Sequence, residues 1–240
     1  MEHPAVQCDT RFRALFGAFI SVPTLSGKSQ WIFKLIANIE KMIDIPIQRI
    51  VYCYDQWQPG FEIASKTSTI EFVKGLSEIL SDDNYFTKDH PTLLVIDDLA
   101  NEIATDPGST KLFTQIIHHR NVCIFLLIQN VFKQGRSMRD IALNSQYYVM
   151  FRNVRDVGQI SVLARQMGIP HLTDAYRSAT EEPYQPIVVD LKSDSPEYLR
   201  VRSHVFPHEI MRLYLKKSFK ISKRDLNFEK KTCIASDLSA

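Results

Sequence analysis

Apolar positions in this chain fall into short unbroken runs that alternate with stretches of helical spacing. Residues 15–21 (LFGAFIS) form an apolar run ending in a Pro/Ser/Gly cluster, as a buried strand entering a loop does. Beyond Lys28 and Ser29, apolar side chains recur at Trp31, Ile32, Leu35, Ile36, Ile39, Met42 and Ile43, which predicts a helix stopped by Pro46. Residues 49–54 (RIVYCY), β-branched and aromatic, predict a strand, while 68–80 predict a helix and 81–84 a loop. Residues 93–96 (LLVI) predict a buried strand that runs directly into Asp97 and Asp98. Pro107, Gly108 and Ser109 open a predicted helix with Leu112, Phe113, Ile116 and Ile117 on one face. Residues 122–128 (VCIFLLI) predict the next strand, ending at Gln129 and Asn130; strands at 146–151 and 186–190 follow, with helices near 156–167 and 173–179 between them. Strands built of unbroken apolar residues are covered on both faces. Their alternation with helices predicts an α/β fold with a central, mostly parallel sheet.

Composition changes this picture little. With 240 residues, 45% hydrophobic and 23% charged, the chain is a globular protein rather than a disordered one. Its length suits one substantial domain, expected over 1–206, with a basic tail at 207–240. The longest apolar run, Val122–Ile128, is far too short to span a bilayer. The polar N-terminal segment has no signal-peptide core, so the expected location is the cytoplasm or nucleus of the cell that makes the protein, away from membranes. Cys8, Cys53, Cys123 and Cys233 are isolated, without the paired spacing of a zinc site or disulfide framework. The net charge of +2 is unevenly spread: between positions 212 and 231, eight Lys or Arg face only Asp225 and Glu229. Such a segment suits a polyanion and a solvated tail equally.

The chemistry lies at the ends of the predicted strands. Residues 22–29 (VPTLSGKS) follow a strand and open a helix, the setting in which G-x-x-x-x-G-K-[S/T] cradles phosphate. Thr24, Leu25, Ser26, Gly27, Lys28, Ser29 and Gln30 are the expected nucleotide-binding residues, with Lys28 on the outer phosphates and Ser29 on Mg2+. Val22 stands where the pattern has glycine, and a β-branched residue restricts the turn there. Parallel strands bring their C-terminal ends to one sheet edge, so Asp97 is expected beside the phosphate loop as the second Mg2+ residue. Asp98 is then the candidate for orienting or deprotonating water, and Gln129 either senses the outer phosphate or caps its strand. Tyr52, Tyr54 and Trp57 suit packing first and a nucleotide or partner contact second, and the adjacent His118 and His119 are expected to end a helix.

With these motifs in order, the chain resembles the FtsK/HerA-type genome-packaging ATPases of DNA viruses and Polinton-like elements. The resemblance runs from about position 16 to 206. It rests on VPTLSGKSQ, RIVYCYDQWQP, LLVIDDLANE and the long segment LFTQIIHHRNVCIFLLIQNVFKQGRSMRDIALNSQYYVMFRNVRD. LARQMG, AYRSAT and VVDLKSDSPEYLRVRSHVFP continue it. It implies a RecA-like P-loop NTPase core, ATP and Mg2+ as cofactors, and a homo-oligomeric ring driving double-stranded DNA into a capsid, with a capsid or portal protein as a further partner. It also implies that an arginine of one subunit completes its neighbour's site, and Arg120 matches that position. Arg136 and Arg139 are alternatives, and the loop 133–139 containing them suits either DNA phosphates or solvent.

Two departures bear on this expectation: Val22, and Asp55 where the family has glycine or glutamate. They keep open a nucleotide-binding protein that has lost hydrolysis. A small-molecule P-loop kinase is a third reading, one that needs no neighbouring subunit.

Overall fold

A computed structural model describes residues 6–7, 9–21, 27–82, 84–106, 108–129, 136–154, 157–216 and 232–237. By internal packing the chain divides into two compact units, Phe12–Tyr147 and Met1–Arg11 with Tyr148–Ala240. The division falls inside the buried strand Tyr147–Met150, where no polar or glycine-rich linker marks it.

In the Phe12–Tyr147 unit, five strands pair in the order Gly17–Ser21, Val122–Ile128, Thr92–Asp97, Arg49–Tyr54 and Glu71–Lys74, each pair parallel. The middle strands carry the unbroken apolar runs. Every residue of Thr92–Asp97 and Val122–Ile128 is buried, as strands covered on both faces must be. Register aligns Ser21 with Ile128, Asp97 with Leu127 and Tyr54 with Asp97, so these strands end together on one edge. The helix Lys28–Ala37 buries Trp31, Ile32, Leu35 and Ile36. Trp31 joins Phe12, Phe16, Phe125 and Tyr147 in a cluster of edge-to-face aromatic contacts. The helix ends at Asn38, earlier than the apolar spacing predicts, and a second short helix, Ile39–Met42, carries the pattern on.

The helix predicted over 68–80 is not present. Glu71–Lys74 is an edge strand and Ser77–Ser81 a short helix, separated by Gly75 at φ 74°. The left-handed backbone there favours glycine, and the Gly75 N–H closes onto the Tyr54 carbonyl at 2.9 Å. Arg49 holds the edge strand across the pair through Glu71, with the Tyr85 ring beneath its guanidinium. Three helices absent from the sequence expectation also occur, among them Arg136–Leu143, which makes 136–139 of the expected basic loop helical. Pro59–Thr67 starts with proline in its first turn, and Ala100–Thr105 follows the acidic strand end.

In the other unit, the helices Val157–Gln166 and Leu172–Ala179 precede strands Ile187–Asp190, Val201–Ser203 and Met211–Leu215, paired antiparallel in sequence. Met211–Leu215 also pairs in parallel with Thr232–Asp237, which pairs antiparallel with Val6–Gln7. Part of the segment expected as a basic tail is therefore strand.

A buried ion pair joins two of these strands. Arg202 Nη1 donates to Asp190 Oδ2 at 3.2 Å and to the Leu199 carbonyl at 2.6 Å, with both ion-pair side chains almost wholly buried. Asp190→Ala leaves a buried cation without its carboxylate. The expected cost is about 3–5 kcal/mol, read as a lower denaturant midpoint in urea unfolding.

Candidate nucleotide site

The three charged residues singled out by the motifs meet at the strand-end edge of the Phe12–Tyr147 unit. The Lys28 ammonium lies 2.9 Å from Asp97 Oδ1 and also bonds Asp98 Oδ2. Each is placed by local structure. Gly27, at φ 84° and ψ 15°, caps the helix in a conformation that favours glycine, and its carbonyl accepts from the Trp31 N–H at 3.0 Å. Lys28 is thereby the first helical residue. Asp97 is the last residue of its strand and 2% exposed, while Asp98 turns at φ 58°, a left-handed geometry that aspartate tolerates better than most side chains.

One residue read first as packing belongs to this cluster. The Tyr52 hydroxyl donates to Asp97 Oδ2 at 2.7 Å, in a fully buried contact. Its ring stacks on Phe33 and touches Phe61 and Phe72. Burial, reinforced by the Asp97 charge, pushes the Tyr52 phenol far above the ordinary tyrosine value, and the Ser29 hydroxyl, which also reaches the phenol, acts against this. Tyr52 is therefore a permanent proton donor. A signal for this role existed only in the pairing register, since Tyr52 stands two residues before the strand end that Asp97 shares with Tyr54. Tyr54 and Trp57 pack as expected, against Phe61 and Phe72.

The donor set fits a hard divalent cation. Two carboxylates outnumber the single ammonium, and a serine hydroxyl stands next to them. Asp97 Oδ1 is buried and, apart from its ion pair with Lys28, accepts no hydrogen bond of good geometry among the described residues. An oxygen so placed has capacity for a metal or a metal-bound water. Among the described residues no cluster of three or more His, Cys, Asp or Glu suggests a different metal site.

The remaining candidates fall as follows. Gln129 follows the last residue of the strand beside Thr92–Asp97 and is exposed at the same edge; Gln30 is exposed on the first helical turn. Thr24, Leu25 and Ser26, with Val22, lie outside the described residues. Arg120 ends the helix Ile117–His119, two residues before the Val122–Ile128 strand begins. It thus sits at the opposite edge of the sheet, about 20 Å of strand from Gln129. His118 and His119 are exposed helix-end residues, as expected. Arg139 is exposed on the helix Arg136–Leu143, and positions 133–135 of the basic loop lie outside the described residues. In the other unit, Arg152 with Tyr176, Arg177 and Thr180 of the AYRSAT segment lines an open pocket of about 400 Å3. Among the described residues no helix is long and apolar enough to cross a membrane.

No protein-family model matches the chain, and no curated protein matches it by sequence. Among solved structures it is similar to the DNA-packaging ATPase of Sulfolobus turreted icosahedral virus, with a TM-score of 0.53 and 15% identity over 79% of this chain and 96% of that one. It is also similar to the genome-packaging NTPase of Sulfolobus turreted icosahedral virus 2. In complex with sulfate that protein gives a TM-score of 0.54 at 16% identity, over 79% of this chain and 95% of that one. In complex with ATP-gammaS it gives 0.52 at 16% identity, over 79% and 96%. The cytoplasmic domain of the Thermomonospora curvata type VII secretion ATPase EccC gives 0.50 at 14% identity, over 75% of this chain and 24% of that one. The fold is that of an α/β P-loop NTPase with a mostly parallel sheet.

Proposed function

We propose that this chain is an ATP-hydrolysing motor that moves double-stranded DNA into a capsid, acting as a homo-oligomeric ring. The observation that carries the reading is the Lys28 ammonium held between Asp97 and Asp98 at the strand-end edge. Similarity to viral packaging ATPases, one of them bound to ATP-gammaS, supports ATP as the nucleotide.

The phosphates of ATP compete with the two carboxylates for Lys28. The backbone N–H groups that start the helix Lys28–Ala37, with its dipole, attract the same anion. With Lys28 on the outer phosphates, Asp97 Oδ1 and the Ser29 hydroxyl would be the groups to hold Mg2+, which would supply neutralisation of the charge on the transferring phosphoryl group. Asp98, the more exposed of the two acids, orients or deprotonates the attacking water, and Gln129 contacts the outer phosphate from the adjacent strand end. Arg120 completes the site of a neighbouring subunit. Its position at the far edge of its own sheet suits a role in trans and none in cis. Basic positions of the segment 133–139 contact DNA phosphates without regard to sequence, and a capsid or portal protein seats the ring.

The test is ATP turnover by the full chain with and without linear double-stranded DNA. A motor gives turnover that rises with DNA and is lost in Asp98→Asn. Val22 favours a second reading, a nucleotide-binding protein without hydrolysis. That reading expects Mg·ATP binding and no turnover in any condition. A kinase expects a monomer whose turnover follows a small-molecule acceptor and ignores DNA.

A further inference from the structure

Tyr52 stands at an unusual junction. Its hydroxyl is buried and donates to one oxygen of Asp97 at 2.7 Å. It thus touches one of the two residues proposed above to hold Mg2+. The strand Arg49–Tyr54 pairs with Thr92–Asp97 over its whole length, Tyr52 opposite Val95 and Tyr54 opposite Asp97, which fixes the spacing between phenol and carboxylate. The ring has little freedom to leave, since Phe33 stacks on it at 5.5 Å and Phe61 lies at 5.1 Å.

An aspartate has two equivalent oxygens and a freely turning carboxylate. With Oδ2 occupied by the Tyr52 hydroxyl, Oδ1 alone remains, and it is the oxygen that faces Lys28 and lacks a hydrogen-bond donor of good geometry. We propose that Tyr52 is a positioning residue for the metal half of the nucleotide site, holding the Asp97 carboxylate in the single orientation that offers Oδ1 to Mg2+ or a metal-bound water. Groups that orient a metal-holding side chain from behind contribute strongly to metal affinity. The inference rests on the nucleotide reading above.

Tyr52→Phe removes one oxygen atom and keeps the ring contacts. The test is calorimetric binding of ADP to the full chain, first in EDTA and then across a Mg2+ titration. The expected result is unchanged ADP affinity in EDTA and a Mg2+ midpoint raised about 10–100-fold. Adding Tyr52→Phe to Asp97→Asn is expected to move the midpoint little further, because the phenol acts through that carboxylate. If the variant only lowers the thermal unfolding midpoint and responds to Mg2+ as the wild type does, Tyr52 is a packing residue and the proposal fails. A full additional loss in the Asp97→Asn background also overturns it. A wild-type chain that binds ADP with no response to Mg2+, or does not bind it, overturns the nucleotide reading as well, and so separates the two failures.

Discussion

In the proposed ring motor, Arg120→Ala is expected to slow ATP hydrolysis about 10³–10⁵-fold, the range for removing an arginine supplied across a subunit interface. Nucleotide affinity should be nearly unchanged, because Arg120 lies at the edge of the sheet away from Lys28. Among the described residues its guanidinium makes no hydrogen bond or ion pair, so the substitution disturbs little of the fold. Mixing supplies the sharper measurement. Arg120→Ala chains keep Lys28, and Lys28→Ala chains keep Arg120, so one interface in a mixed ring can be complete where none is in either parent. Random assembly at equal ratio should restore about one quarter of the wild-type sites, in a ring closed by repeating one heterologous interface. Parents that stay inactive when mixed exclude action in trans. Full turnover by Arg120→Ala alone shifts the role to Arg136 or Arg139.

Lys28→Ala is expected to lower turnover about 10²–10³-fold, the cost of deleting one group aimed at developing phosphoryl charge. Here the loss extends to the resting protein. Asp97 is 2% exposed and paired with this ammonium, and Asp98 shares it. Without Lys28 the two carboxylates lose the ammonium that pairs with both. The nucleotide-free variant should therefore unfold at a lower temperature than the wild type, and Mg2+ should recover more of that loss than it adds to the wild type. Thermal unfolding with and without Mg2+ checks this. A variant as stable as the wild type in EDTA contradicts the ion-pair account of the site.

Much of the site was legible before folding was known. Gly27, Lys28 and Ser29 sit between an apolar run and a helical spacing, and Asp97 and Asp98 end another apolar run. Parallel pairing brings such ends to one edge, so the common neighbourhood of Lys28 and both acids was legible, while the contacts themselves waited on strand order. The region 68–80 misled because apolar residues at 70, 72, 73, 76, 79 and 80 suit both periods in part. The choice was made by the Arg49–Glu71 pairing and by the turn at Gly75, both of which need a partner distant in sequence. The Arg202–Asp190 pair was hidden for the same reason, twelve residues apart and on different strands.

The sequence by itself determined the element types with strong apolar patterns, the α/β class, and the identity of the charged residues at the strand ends, because these follow from local periodicity and chain geometry. Tertiary structure alone decided strand order and register, and through them what each side chain meets. That is how Tyr52, indistinguishable along the chain from Tyr54, comes to hold the Asp97 carboxylate while Tyr54 only packs. It is also how Arg120, close in sequence to a strand of the site, comes to lie at the opposite edge. Hydrogen bonds and ion pairs form over about 3 Å, and only the folded backbone fixes distances that finely between segments forty or more residues apart.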